Sequence, residues 1–355
     1  MFTNRWKRHA PRMVGIDIGS HDIKAIALTK SDIGYKIVNI VCVSIPKTLH
    51  IHQDNLNGET LQQSLIQLSK LLPKNIKYAA VAVCGSAVMT KKVFIDAMLP
   101  DDEMEAQIEI EASNLIPYPL EEVSLDFEII GQNKADPLKN DVLLSACRTE
   151  NIDILVDALA AINLEAKVVD IEGYALGRSA ELIFKQLPNL ENKVICLVDI
   201  GARKTTFSIV KSGETALVRE QDIGGEQLTL SIQSYYALDY KDAERGKLNS
   251  QDLPENYLSD LLKPFQMQLL QQIKRTLQMY SAAHEQHRFD YIFLSGGTAL
   301  LDGLTKLLTN ELSIPTMLAN PLQSALTLDE EIQVNLETEI SKYMVACGLA
   351  LRSKA

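Results

Sequence analysis

The strongest constraint on this chain of 355 residues is a hairpin that occurs twice. In Met13–Leu28 the apolar Val14, Ile16 and Ile18 alternate around Asp17, Gly19-Ser20 breaks the run, and Ile23 to Leu28 resumes it. Period-two alternation on both sides of a Gly turn predicts strand, tight turn, strand, with the acid held rigidly near the tip. A Gly-Ser tip can present backbone N–H groups as an anion-binding nest, and Lys24 on the returning strand adds a positive charge. Leu197–Val210 repeats the pattern without a gap: Asp199 falls on Asp17, Gly201 on Gly19, Thr206 on Lys24 and Ile209 on Ala27. One such hairpin is ordinary surface chemistry. Two of them, far apart in sequence, predict two like-folded halves, each presenting an acid and a phosphate loop.

A third signal follows in Tyr291–Leu304, where an apolar strand runs into Ser295-Gly296-Gly297 and then a helix. Missing Cβ atoms there let a flat ligand approach the backbone. Between the second hairpin and this strand, Gly224-Gly225 opens a helix whose free N–H groups could face phosphates. Glu244 and Lys247 then lie three apart on one helical face, which by itself is a surface ion pair. Apolar positions from Leu258 to Tyr280 mark a long helical region that Pro264 is expected to divide. The chain exceeds what one hydrophobic core usually serves, so several domains are expected.

Residues 31–85 read as strand, loop, helix and strand, with Leu61, Leu65, Leu68 and Leu72 on one helical face. Residues 86–166 then interrupt this half with an alternation of their own. Strands are expected at Val88–Phe94, Ser124–Ile130 and Val142–Cys147, with a helix from Asp101 or Asp102 to Ile116 and another from Glu150, capped by Thr149. Pro117 and Pro119 should stop the first of these helices and pin an extended linker, a structural corner in its plainest reading. After the insertion, Ala166–Glu181 reads as a strand feeding a helix. Asp170 and Glu172 stand at that junction, where an acid in its plainest reading caps the helix N-terminus.

Composition excludes several classes. A net charge of −11, with no basic patch beyond the N-terminus, argues against nucleic-acid binding. Five scattered cysteines without CxxC spacing read as reduced core thiols of a cytosolic protein. Residues 1–12 are basic and carry the only tryptophan, Trp6, but no apolar segment of secretory type follows. They are expected to form a frayed arm. No apolar run reaches the ~18–20 residues of a transmembrane helix.

In this order, the three Gly-containing elements resemble the phosphate 1, phosphate 2 and adenosine motifs of the actin-like ATPase superfamily. That resemblance implies an α/β fold of two duplicated domains flanking a nucleotide cleft. It implies ATP with Mg²⁺, the metal held by Asp17 and Asp199. Gly19, Ser20, Lys24, Gly201, Thr205, Thr206, Gly224 and Gly225 would serve the phosphates, and Glu244, Lys247, Gly296 and Gly297 the nucleoside. In DnaK-type chaperones the connecting helix begins with a Glu near the attacking water; Glu172 holds the matching place, with Asp170 as competitor. The position of the insertion is similar to the arrangement in the division protein FtsA, although only Ser353-Lys-Ala355 follows the last helix, where FtsA carries a membrane anchor.

Within that arrangement, Glu111-Ala112, Ile116-Pro117, Leu120–Val123, Leu125-Asp126, Val169–Glu172 and Gly348–Arg352 resemble the PilM family of type IV pilus assembly proteins. This implies a cytoplasmic adaptor at the inner membrane that is at most a slow ATPase. Its partners would be the short cytoplasmic tail of the membrane protein PilN and other pilus assembly proteins, with a homo-oligomer also open. The tail is expected between the first domain and the insertion, with Tyr118 and Leu120 as one wall. A small-molecule kinase and a polymerising filament protein are the alternative classes. The expected domains are 13–85 with 167–190 and 338–355; the insertion 86–166; 191–225 with 288–337; and a helical subdomain, 226–287.

Overall fold

The first hairpin forms β1 (Arg12–Ile18) and β2 (Asp22–Ser31), antiparallel, with Asp17 opposite Lys24. The second forms β9 (Val194–Ile200) and β10 (Thr205–Lys211), with Asp199 opposite Thr206. These pairings come from a computed structural model that describes residues 12–31, 34–46, 58–184, 193–284, 288–321 and 339–354. Apart from Arg12, the first residue of β1, the expected basic arm lies outside the described residues.

Each hairpin seeds a five-stranded sheet of the same plan. In the first, β3 (Gly34–Ser44) extends the meander while β4 (Ile76–Val83) and β8 (Glu165–Ile171) add in parallel, giving the order β3-β2-β1-β4-β8. In the second, β11 (Glu214–Gln221), β12 (Tyr291–Ser295) and β13 (Thr316–Leu318) give β11-β10-β9-β12-β13. Apart from the acids near their ends, the central strands β1 and β9 are mainly apolar and buried, as strands covered on both faces must be.

Two helices that meet through small residues fill the space between the sheets. They are α4 (Glu172–Phe184) and α9 (Met344–Ala350), and their core joins Ala175 and Leu176 to Ile195, Leu197, Phe293 and Met344. Their approach depends on glycine. A Cβ on Gly348 would lie 1.7 Å from the Ala175 carbonyl oxygen, and one on Gly15 would lie 2.3 Å from that of Ala346.

On the outer face of the first sheet, α1 (Gly58–Leu71) buries Leu61, Leu65 and Leu68. Beside it lies α3 (Thr149–Ala160), whose Leu159, followed by Ile162 and Leu164, joins the same core. The sequence reading grouped this helix with the insertion; its apolar side instead completes the first domain. Thr149 does not cap it, because the hydroxyl pairs with Ser124 and Arg148 occupies the cap position. The independently packed part of the insertion is thus β5 (Val88–Asp96), α2 (Asp101–Leu115), β6 (Val123–Gln132) and β7 (Lys139–Arg148). They form a sheet β5-β7-β6 under one helix, with Val93, Ile95, Met104, Ile108, Val142 and Leu144 as its core.

The outer face of the second sheet carries α5 (Gly225–Tyr236), α6 (Tyr240–Leu248), α7 (Lys263–His284) and α8 (Leu304–Leu312). Pro264 sits in the first turn of α7, where its missing N–H is harmless, directly after a π-helical turn, Leu258–Leu262. Among the described residues, no helix is long and apolar enough to cross a membrane.

The glycine contacts predict a steep cost for added volume. Gly348→Ala should lower the free energy of unfolding in urea by about 2–3 kcal/mol or prevent folding. Gly297→Ala, where a Cβ meets nothing within 4 Å, should change it by less than about 0.5 kcal/mol.

Candidate functional site

The two hairpin tips close in the same way. Gly19 N–H donates to the Asp22 carbonyl at 3.0 Å, and Gly201 N–H to the Lys204 carbonyl at 2.9 Å. The acids beside them are differently engaged. Asp17 pairs with the Lys24 ammonium at 2.8 Å, whereas Asp199 accepts a 2.7 Å bond from the Ser295 hydroxyl. Burial followed by the negative charge of Asp17 raises the Asp199 pKa, against the Ser295 hydrogen bond. Burial alone would lower the pKa of Lys24, but Asp17, Asp199 and Asp22 more than offset it and raise it. The two acids therefore face one another across a shared space.

The third element is tied to the second turn. Ser295 reaches Asp199, Thr298 Oγ1 donates to the Gly201 carbonyl at 2.9 Å, and Gly296 has φ 84°. Any Cβ on Gly296 would lie 2.4 Å from the Ile200 carbonyl oxygen, so only glycine fits there. Gly297 faces open space.

Several expected phosphate contacts are already committed elsewhere. The N–H groups of Gly225 and Glu226 are not free at the start of α5, since they donate to the carbonyls of Gly201 and Ala202 at 3.0 and 2.7 Å. Gly224 instead permits close passage, because a Cβ would lie 2.4 Å from the Ala202 oxygen. The buried Thr205 hydroxyl is donated to the Ile223 carbonyl. Thr206 behaves differently: opposite Asp199 on β9, its buried hydroxyl has no hydrogen-bond partner. Ser20 is half-buried at the first turn. Arg203 turns outward to Glu226 at 3.1 Å.

Glu244 and Lys247 do not form a surface pair. Lys247 is 4% exposed, bonded to Glu244 at 2.7 Å and to Thr229 Oγ1 at 3.0 Å, beneath the start of α5. Glu172 opens α4 and holds the Lys204 ammonium at 2.6 Å. Burial, opposed by Lys204 and reinforced by Asp17 and Asp199, pushes its carboxyl up to about 7. Asp170, its competitor, is engaged elsewhere. It is bound by Arg178 at 2.6 Å and Arg352 at 2.9 Å, and those cations hold its pKa down despite burial.

The sequence reading missed Lys204, Glu220 and Cys84. Lys204 Nζ lies 2.9 Å from Cys84 Sγ and 3.2 Å from Glu220 Oε1. The charged turn Ala202-Arg203-Lys204 was the available signal. Glu220, alternating within β11, carried none.

A second feature is a groove of about 180 Å³ between the inserted sheet and the first domain. Leu143, Ser145 and Phe127 line one side, and Val169, Tyr174 and Arg352 the other. Tyr118 and Leu120 are not among its lining residues. Leu120 packs into the insertion's own core, starting a short 3₁₀ turn rather than an extended wall, and Tyr118 is half-exposed beneath Arg148.

The sequence matches the model of the family described as type IV pilus assembly protein PilM over residues 15–354. The chain belongs to the PilM family. Among solved structures it resembles a PilM-PilN type IV pilus biogenesis complex, with TM-score 0.80 and 23% identity over 97% of this chain and 98% of that one. The ethanolamine utilization protein EutJ of Carboxydothermus hydrogenoformans gives TM-score 0.56 and 14% identity over 96% of this chain and 90% of that one. FtsA of Bacillus subtilis (strain 168) is 22% identical over 264 residues, 66% of this chain and 57% of FtsA. The chain thus spans just over half the length of that curated relative. Together with the duplicated sheets, these likenesses establish the actin-like ATPase fold.

The buried acids predict a pH dependence. Glu172 ionises near pH 7 in the folded protein, against 4.5 ordinarily, so the folded state holds its proton more tightly. The stability it contributes is full below the unfolded pKa and is lost as pH rises through about 7. Urea unfolding should therefore show the wild type losing more stability than Glu172→Gln between about pH 5 and 8. Equal slopes would show that Glu172 titrates normally.

Proposed function

We propose that this chain is an ATP-binding adaptor of the type IV pilus assembly machinery, in which the cleft takes Mg-ATP and the groove takes a membrane protein's cytoplasmic tail. What carries the reading is the coexistence, in a member of the PilM family, of a two-acid cleft and a separate groove beside the insertion.

The cleft fits a divalent cation. Asp17, Asp199 and Glu172 confront too few cations, and the unpartnered Thr206 hydroxyl lies beside Asp199. Asp17 and Asp199 would hold Mg²⁺ largely through its waters. The metal would neutralise phosphate charge; Lys24 and the turns at Gly19-Ser20 and Gly201 would orient the phosphates. Gly296, Gly297, Glu244 and Lys247 would frame the nucleoside. Glu172 is the candidate to orient water in hydrolysis that is at most slow. Asp17→Ala and Asp199→Ala should each weaken Mg-ATP binding by roughly tenfold or more, measured by calorimetry, since each removes one of the anions opposing the metal. Unchanged affinity in both variants would refute the cleft assignment.

The partner proposed for the groove is the cytoplasmic N-terminal tail of PilN, which would place the chain peripherally at the inner membrane. An ordering tail that gains apolar contacts in a preformed groove binds with moderate affinity. Because both halves touch one nucleotide, a partner preferring one orientation is coupled to ATP by the same free energy. Leu143 points into the groove, away from its neighbours Val142 and Leu144 in the module core. Leu143→Asp should weaken binding of the PilN tail peptide by roughly tenfold or more, with the fold and Mg-ATP affinity unchanged. Tyr118→Ser should have no effect. The opposite pattern, measured by fluorescence anisotropy, would move the site to the Pro117–Pro119 corner.

A further inference from the structure

Cys84, Gly85, Ser86 and Glu172 come from the first half of the molecule, Lys204 and Glu220 from the second, and the six meet in one cluster across the cleft. An ammonium has three N–H donors. Those of Lys204 have three acceptors: Glu172 Oε2 at 2.6 Å, Cys84 Sγ at 2.9 Å and Glu220 Oε1 at 3.2 Å. The Glu220 carboxylate is gripped from the far side by the backbone N–H groups of Gly85 at 2.9 Å and Ser86 at 3.0 Å. A Cβ on Gly85 would already lie 3.0 Å from Glu220 Oε1, so the amide pair accepts the carboxylate because residue 85 has no side chain.

We propose that Lys204 is a phosphate-responsive positioning residue that clasps the two halves through Glu172, Glu220 and Cys84, and surrenders part of that clasp when a nucleotide's phosphates reach the second Asp-Ile-Gly turn. The proposal rests on the reading of the cleft as a nucleotide site. Lys204 is itself the closing residue of that turn, its carbonyl accepting from Gly201 N–H. A phosphate at the turn therefore meets an ammonium anchored in the same four residues. With every donor engaged, each bond to phosphate requires the loss of one to Glu172, Cys84 or Glu220. A charged phosphate oxygen outcompetes a thiol readily and a carboxylate in part. The Cys84 contact goes first; where a bond to Glu220 follows, that carboxylate keeps its two amides and the Cys84 thiol at 3.2 Å but shares its counter-ion with the phosphate, which weakens the bond between the halves. Nucleotide then shifts their relative orientation through a defined contact.

The clasp is read directly by hydrogen exchange at the Gly85 and Ser86 amides of the full chain, followed by NMR. Mg-ATP, saturating by calorimetry, should speed exchange there roughly tenfold, while saturating adenosine, which has no phosphate, should leave it unchanged. Lys204→Met should exchange fast without ligand and show no response to ATP, and Lys204→Arg should stay protected. If ATP binds and the wild-type amides do not respond, the clasp is refuted and the cleft assignment stands. If ATP does not bind, both fail. Wild-type protection in a folded Lys204→Met variant would also overturn the proposal.

Discussion

Everything in the cleft depends on a shortage of positive charge. Asp17, Asp199, Glu172 and Glu220 converge, and among the described residues Lys24 and Lys204 are the cations between them. Taking carboxylates out of water is costly unless cations accompany them. The imbalance appears as protons held tightly: Glu172, Asp199, Lys24 and Lys204 all have raised pKa values, each against or alongside burial. A site in this state gains from an added cation. The same imbalance makes a bare anion unwelcome, and a cation placed between the acids would relieve it.

That concentration of charge is possible because the scaffold beneath it is close-packed and apolar. The glycines and alanines of α4 and α9 let the two sheets share one central layer, and Glu172 is the first residue of α4. Packing and chemistry are thereby coupled along a single helix. At its start Glu172 faces Lys204; one residue on, Gly173 would place a Cβ 2.1 Å from Val218 of β11, two positions before Glu220. Added volume anywhere in this layer would move the acids as well as the core.

The inserted module is served by a second and independent charge arrangement. Asp170, 6% exposed, is neutralised by Arg178 and by Arg352 near the chain's end. This triad lines the floor of the groove. It joins α4 and the C-terminal turn to the strand leading out of the insertion, so that the wall facing the module is held together by ion pairs. The groove and the cleft thus share α4 but not their charges.

The sequence by itself determined the duplication, and with it most of the fold. Alternation around Asp17 and Asp199, the Gly turns, and the apolar run before Ser295 are local patterns, and each became the element expected of it. Local pattern could not assign α3, because an amphipathic helix does not record which neighbour will cover its apolar side; Leu159 found the first sheet. Nor could it show that the Thr205 hydroxyl would be spent on the Ile223 carbonyl and the first amides of α5 on carbonyls of the second turn, or that Lys247 would be buried against a half-buried Glu244. Those outcomes depend on approaches between segments distant in sequence. The role of Lys204 lay beyond it for the same reason. A lysine in a turn is unremarkable until tertiary packing brings Glu172, Cys84 and Glu220 within reach, since the pairing of a buried charge is set by what surrounds it and not by its neighbours in the chain.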